Sequence, residues 1–213
     1  MTSSRGAGPI FMCVGMATLA FIVLPLPFII LYSFSPNAYA VISSQGFTLK
    51  WFVSFFENDR FMAATAASLQ IAAITTVASL LLAIPTAVMA VRHRFVGREL
   101  LLTLISAPLV VPGVIVGTAA LGFVSQTGIG PGFWPLTVAM IALALPLTMR
   151  PLIANLSGLD PDLENAARNL GADDVIIFTR IILPYLAPAL FGAVMFAMLL
   201  SFEDFVRSFF LGG

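Results

Sequence analysis

Long apolar stretches separated by short charged ones set the pattern of this chain. No charged residue occurs from Gly6 to Leu49, from Phe61 to Val91, from Leu100 to Met149, or from Ile181 to Phe202. A helix that crosses a bilayer needs roughly 20 apolar residues. The first gap predicts one span at 10–34, followed by a polar stretch. The second predicts one at 62–91, long enough to tilt or project beyond the lipid. The third gap is too long for one helix and is interrupted by Ser125-Gln126-Thr127-Gly128-Ile129-Gly130-Pro131-Gly132, a turn-forming run. It therefore predicts two spans, at 100–124 and 133–152, and the last gap predicts a fifth at 185–202. The expected fold is an all-α membrane protein, a polytopic helical bundle forming one domain over 1–213.

Composition agrees with that pattern and removes other classes. The 213 residues are 60% hydrophobic and 9% charged, with mean hydropathy +1.04. A soluble domain carries about 25% charged residues. The formal net charge is zero, which argues against nucleic acid as a partner. One cysteine, Cys13, and one histidine, His93, leave no basis for a disulfide framework or a metal cluster. Arg5, an apolar run and Ala38-Tyr39-Ala40 imitate a cleavable secretory signal, but the run is longer than a signal's 7–15 apolar residues, so a retained first helix is expected.

With the N-terminus inside, the cytoplasmic segments hold Arg5, Arg92, Arg94, Arg98, Arg150, Arg168 and Arg180, and the outer segments hold Lys50, Arg60 and Arg207. Positive residues are retained on the cytoplasmic side, so a cytoplasmic N-terminus is expected. Trp51, Phe52, Phe55 and Phe56 then lie in the first outer loop, in interfacial packing. Pro25, Pro27, Pro85, Pro108, Pro112 and Pro146 fall at membrane depth, where neighbouring helices can satisfy the freed backbone groups. Gly113 and Gly117 have the spacing that lets two helix backbones approach.

The loop at 157–184 is the most informative segment. Asp160 suits an N-cap, Pro161 the first helical position, and Gly171 the left-handed residue that ends a helix. Leu163, Ala166, Ala167 and Leu170 recur at i, i+3, i+4 and i+7 and share one face. A second helix is expected from Asp173 or Asp174 to Pro184, with Val175, Phe178, Ile181 and Ile182 as its stripe. Helices this short are marginal alone. They must pack on their own membrane domain, on a partner protein, or on the bilayer surface. One basic residue, Arg168, among acidic and amide ones suits anionic lipid poorly.

The same loop resembles the signature of the MetI-like permeases of binding-protein-dependent ABC importers: Glu-Ala-Ala, three residues, Gly, nine residues, Ile, one residue, Leu-Pro. Here the positions read Asn165, Ala166, Ala167, Gly171, Ile181, Leu183 and Pro184, matching at six of seven. Asn165 replaces the usual Glu, with Glu164 adjacent. The resemblance implies that this is a coupling loop docking on a separate ATPase subunit, and that the chain is a transport subunit and not an enzyme. It implies further partners: a second permease subunit, expected to be non-identical, a periplasmic or lipoprotein solute-binding protein, and the lipid of a bacterial inner membrane. No cofactor is expected on the chain itself, since its one lysine, Lys50, follows Leu49 and no G-x-x-x-x-G-K-[ST] exists. ATP is used by the partner.

The end of the chain, Ser201-Phe202-Glu203-Asp204 through Phe209-Phe210-Leu211, is similar to the corresponding stretch of spermidine/putrescine-type permeases. That implies a polyamine or a related small organic solute as substrate, with Glu203 and Asp204 attracting a cation; alternatively both are solvated or paired with Arg207. Gly113 stands where many polyamine permeases carry an acidic residue. Gln70, with Ser68, Thr75, Thr76, Ser79, Ser106 and Thr118, supplies the polar groups left to line a path. The family's sixth span is expected to be missing. An ion-coupled secondary transporter needs midplane ion-coupling groups, and an intramembrane enzyme needs a metal cluster or a buried base. The spans offer none of these.

Overall fold

A backbone surrounded by apolar side chains and lipid must satisfy its polar groups internally, and the α-helix does so within one segment. The computed structural model describes residues 9–37 and 46–212, and among them every regular element is helical. Arg5 and Ala38-Tyr39-Ala40 lie outside the described residues. The chain divides into two units, 1–64 and 65–213. The first holds α1 (Pro9–Val23), α2 (Pro25–Ser33), α3 (Lys50–Glu57) and the first residues of α4 (Asp59–Arg92). There Trp51 Nε1 donates to Ser35 O at 2.9 Å, and Phe34 packs on Phe52 with ring centroids 5.5 Å apart.

The second unit contains the rest of α4, then α5 (Arg98–Val110), α6 (Gly113–Gln126), α7 (Phe133–Leu156), α8 (Pro161–Asn169) and α9 (Asp174–Ile177). A π turn (Phe178–Ile182), α10 (Leu183–Glu203) and α11 (Phe205–Leu211) complete it. On α4 the buried positions Ala72, Thr75, Thr76, Ser79, Ala83, Ala87 and Ala90 recur every three or four residues. This face is built of small side chains, which allow close helix approach. Val77 and Leu81, on the other side, are exposed, as apolar residues that face lipid would be. Prolines do not end the long helices: Pro85, Pro146, Pro151 and Pro188 lie inside them. Beside Pro146, the buried Thr148 hydroxyl donates to Leu145 O at 2.9 Å.

Among the described residues four helical stretches are long and apolar enough to cross a membrane: Phe11–Ser33, Asp59–Arg92, Phe133–Leu156 and Asp174–Glu203. Two departures from the sequence expectation stand out. The stretch read as one straight crossing at 100–124 is two helices, α5 and α6, which together are long and apolar enough for a fifth crossing but are bent by 100° at their junction. The cause is local. A proline pushes the residue before it out of helical geometry, and Val111 is extended at φ −81°, ψ 130° ahead of Pro112. The second departure is at Pro184, where a helix was expected to stop. Instead Leu183 N–H donates to Phe178 O, the five-residue step of a π turn. That step widens the backbone just ahead of Pro184, and the helix runs on into α10.

Two cores result. At one end, Ala83 and Ala87 of α4, Met149, Leu152 and Leu156 of α7, and Ile177, Ile182 and Leu186 are buried together. At the other, Ile71, Val124, Leu136, Met140 and Leu211 form a second cluster. There α11 packs on α6 over the glycine pair. A Cβ at Gly117 would sit 2.8 Å from the Phe210 ring, so only glycine admits this approach without a shift.

Candidate functional site

The loop at 157–184 stands at the end of the bundle defined by the first core. Its helix α8 is closed at both ends by its own residues. At the start, the Asp160 carboxylate accepts from Asp162 N–H at 3.0 Å, satisfying one of the free donors of the first turn. At the finish, Gly171 N–H donates to Arg168 O at 2.9 Å and Ala172 N–H to Ala167 O at 3.0 Å. Those two bonds form a Schellman motif, and Gly171 takes the φ of +90° it requires. Asp162 and Glu164 lie in the first turn and Arg168 in the last, each sign placed where the helix dipole favours it. Asp173 then caps α9 by accepting from Ile176 N–H at 2.7 Å.

The orientation of α8 is unusual for an amphipathic helix. Its apolar stripe faces away from its own chain: Leu163 is 55% and Leu170 89% exposed, Ala166 is exposed, and only Ala167 is half-buried. The inward residue is charged. Glu164 is buried, and its Oε1 accepts from Arg92 Nε at 2.7 Å and lies 2.7 Å from Arg92 Nη2. The same Nη2 donates to Leu159 O at 3.1 Å. Arg92, the last residue of α4, thus holds both the chain entering α8 and the helix itself. Beside this pair lies a cavity of about 500 Å³ lined by Arg92, Glu164, Asn165 and Phe178 among others.

The remaining signature positions divide between surface and core. Asn165 is exposed, with its amide 3.4 Å from Asp162 Oδ1. Ile181 is half-buried against the first core, together with Ala167. Leu183 is half-buried and Pro184 exposed. Arg92 is the residue that sequence reasoning missed. The signal available for it was a lone basic residue ending a long apolar run; nothing in the sequence names its partner.

At the other end of α10 the acidic pair splits. Glu203 is exposed. Asp204 accepts from Arg207 N–H at 2.9 Å as the cap of α11, and its carboxylate pairs with the Arg207 guanidinium, both side chains 7% exposed. Of the two sequence alternatives for Asp204, the pairing with Arg207 is the one observed. Gln70 and Ser68 are exposed on α4. Thr118 is exposed and bonds back to Val114 O at 2.9 Å. The buried hydroxyls of Thr75 and Thr76 have no hydrogen-bond partner among the described residues. No metal-binding group of His, Cys, Asp and Glu occurs among the described residues.

Comparison with known proteins places these features. Residues 79–213 match the family described as binding-protein-dependent transport system inner membrane component. The chain is 30% identical over 197 residues to the spermidine/putrescine transport system permease protein PotC of Escherichia coli, covering 92% of this chain and 74% of that protein. It is 28% identical over 194 residues to PotC of Haemophilus influenzae, covering 91% and 75%. To the putrescine transport system permease protein PotI of Escherichia coli it is 30% identical over 201 residues, covering 91% and 71%. A chain from the crystal structure of a bacterial ABC transporter involved in the import of the acidic polysaccharide alginate has the same fold. That match has a TM-score of 0.71 at 18% identity and covers 100% of this chain and 78% of that one. With its long apolar helices and the match over residues 79–213, the chain is a multi-pass membrane transport subunit, not an enzyme, and belongs to the MetI-like family of binding-protein-dependent inner-membrane permeases.

Proposed function

We propose that this chain forms part of the substrate path of an ATP-driven importer, and that α8 receives the driving motion from a separate ATPase subunit. One observation carries the reading: α8 is capped at both ends, fixed from behind by a charge pair, and leaves the leucines of its apolar stripe uncovered. A helix of nine residues is too short to persist on propensity alone. Leucines left in water at Leu163 and Leu170 lose the transfer free energy that burial would return, about 25 cal/mol per Å². A groove on a partner protein supplies that burial. ATP is bound and hydrolysed by that partner, and this chain binds no cofactor.

The same geometry supports an orientation. The stretch from Asp174 to Glu203 is 30 residues, about 45 Å at 1.5 Å per residue, against a hydrocarbon core of about 30 Å. Its two ends therefore lie on opposite sides of the membrane, Arg168 and Arg180 by one end and Arg207 by the other. The excess of positive charge on the α8 side supports a cytoplasmic α8 and a cytoplasmic N-terminus. A second, non-identical permease subunit and a solute-binding protein complete the importer. The substrate is a polyamine or a related small organic solute. The named substrates of the PotC and PotI relatives support this, as does the exposed Glu203 at the outer end.

The test is co-purification of the ATPase subunit expressed with the chain. Leu163→Asp combined with Leu170→Asp is expected to abolish it while membrane insertion is unchanged. Gly171→Leu forces a side chain into a left-handed backbone, a strain of about 1–2 kcal/mol; it is expected to uncouple transport with the chain still inserted. Undiminished ATPase capture by the Asp double variant would remove the docking reading.

A further inference from the structure

We infer that Arg92 and Glu164 form a strut that makes α8 and α4 move as one body, so that a push on the coupling helix reaches the long span α4 directly as well as through α10. The inference rests on the docking of α8 proposed above and adds to it a second route for the motion.

Few contacts hold α8 to its own protein. Its apolar stripe does so only at Ala167, which packs against the first core; Leu163 and Leu170 are exposed. The Arg168–Asp174 pair, at 3.0 Å with side chains 50% and 87% exposed, only joins α8 to α9, and exposed pairs of this kind contribute little. On its C-terminal side α8 leads through α9 and the π turn into α10. Such a connection, like the short link from α7 through the buried Leu159 on its other side, passes on a pull along the chain but does not by itself fix the direction in which α8 points.

Arg92 removes that freedom. Its guanidinium is planar and rigid and offers several donors in fixed directions. Here it uses them on two points of the loop at once, the Glu164 carboxylate within the first turn of α8 and the Leu159 carbonyl just before its N-cap. Two points five residues apart define a line, so the helix cannot pivot about either one alone. The pair is also shielded, with side chains 13% and 6% exposed, so water and salt compete with it weakly. Behind it α4 runs as one helix of 34 residues, about 51 Å at 1.5 Å per residue, long enough to carry a displacement from the α8 end across the whole membrane.

The substitution in the signature fits the same arrangement. A carboxylate at position 165 would point outward from α8, where Asn165 is exposed. The carboxylate of this chain stands at 164 and points inward. Arg92 and Glu164 are therefore positioning residues: they set the stance of the docking face without belonging to it.

Spin labels at Asn169→Cys on α8 and Val77→Cys on α4, in a Cys13→Ser background, read the strut directly. The distance between them is measured by pulsed electron resonance in the complex assembled with its ATPase, without nucleotide and with ATP plus vanadate. The expected result is one narrow distance, the same in both states. Glu164→Gln, and separately Arg92→Lys, which keeps the charge but loses the fork, are expected to broaden that distance and make it differ between the two states. Reversing the pair with Arg92→Glu and Glu164→Arg restores the ion pair but not the bond to Leu159 O, since an ionised carboxylate cannot donate to a carbonyl; it is expected to narrow the distance part of the way back, which a merely destabilised loop would not do. If Glu164→Gln leaves the distance narrow and unchanged, the strut is wrong. If the ATPase fails to co-purify with the unaltered chain, the docking reading fails instead, and the width of the distance in the chain by itself still decides the strut.

Discussion

The two ends of α10 each carry a buried ion pair, and the two pairs do different work. At the α8 end, Arg92 and Glu164 are 72 residues apart in sequence and join two separate elements. At the far end, Asp204 and Arg207 are three residues apart and close the first turn of α11 on itself. The far pair tightens a cap that the backbone already makes, whereas the near pair creates a connection that would not otherwise exist. The helices they serve differ in the same sense. The glycine face of α6 covers α11, and Leu211 is fully buried in the second core. α8 has its apolar stripe outward. One helix completes the bundle, and the other is presented by it.

The sharpest way to break this comparison is to remove one charge from the near pair. Burying a charge without its partner costs about 3–5 kcal/mol, so Arg92→Leu or Glu164→Leu should be the most destabilising of these changes, measured by denaturant titration in detergent. Changing both residues to leucine removes the orphaned charge, and stability should return close to that of the unaltered chain. The double variant should still insert and fold while losing the fixed 77–169 distance. A double variant as unstable as either single one would mean that the pair is not the link between α4 and α8.

The far pair should be less costly to disturb. In Arg207→Leu the backbone N–H at 207 still donates to Asp204, so the carboxylate keeps one partner. A hydrogen bond to a charged group contributes about 1.5–3 kcal/mol, and a loss within that range is expected. Because the change is confined to α11, the α8 labels should not respond. A loss equal to that of Arg92→Leu, or a change at α8, would erase the distinction between the two ends.

What was legible in the sequence follows the same division between local and distant. Asp160, Pro161 and Gly171 announced α8 because caps are made between residues two to five apart. The stripe of Leu163, Ala166, Ala167 and Leu170 was legible as a face for the same reason. Its direction was not, since nothing in a helical period tells whether a partner or the bundle lies opposite. Arg92 was visible only as one more basic residue beside a span, because its partner lies 72 residues on, beyond α5, α6 and α7. Pro112 misled in another way. Proline at membrane depth is tolerated inside helices, as Pro85, Pro146 and Pro188 are here, so the residue type alone does not tell a tolerated proline from one that turns the chain by 100°. Pro184 carried the opposite ambiguity, and the π turn that absorbs it leaves no compositional mark.

The smallest expected effect tests the local half of the comparison. Asp160 satisfies one backbone donor and touches neither Arg92 nor the exposed stripe. Asp160→Ala should therefore cost about 1 kcal/mol, as lost N-caps do, and Asp160→Asn should cost almost nothing, because an amide oxygen caps nearly as well. Neither change removes the Arg92 bonds to Glu164 and Leu159, so the helix should fray at its first turn yet keep its stance. The 77–169 distance would stay centred where it is and widen slightly for alanine only. If Asp160→Ala shifted that centre as far as Glu164→Gln does, the cap would be setting the stance of α8, and the guanidinium behind it would be a bystander.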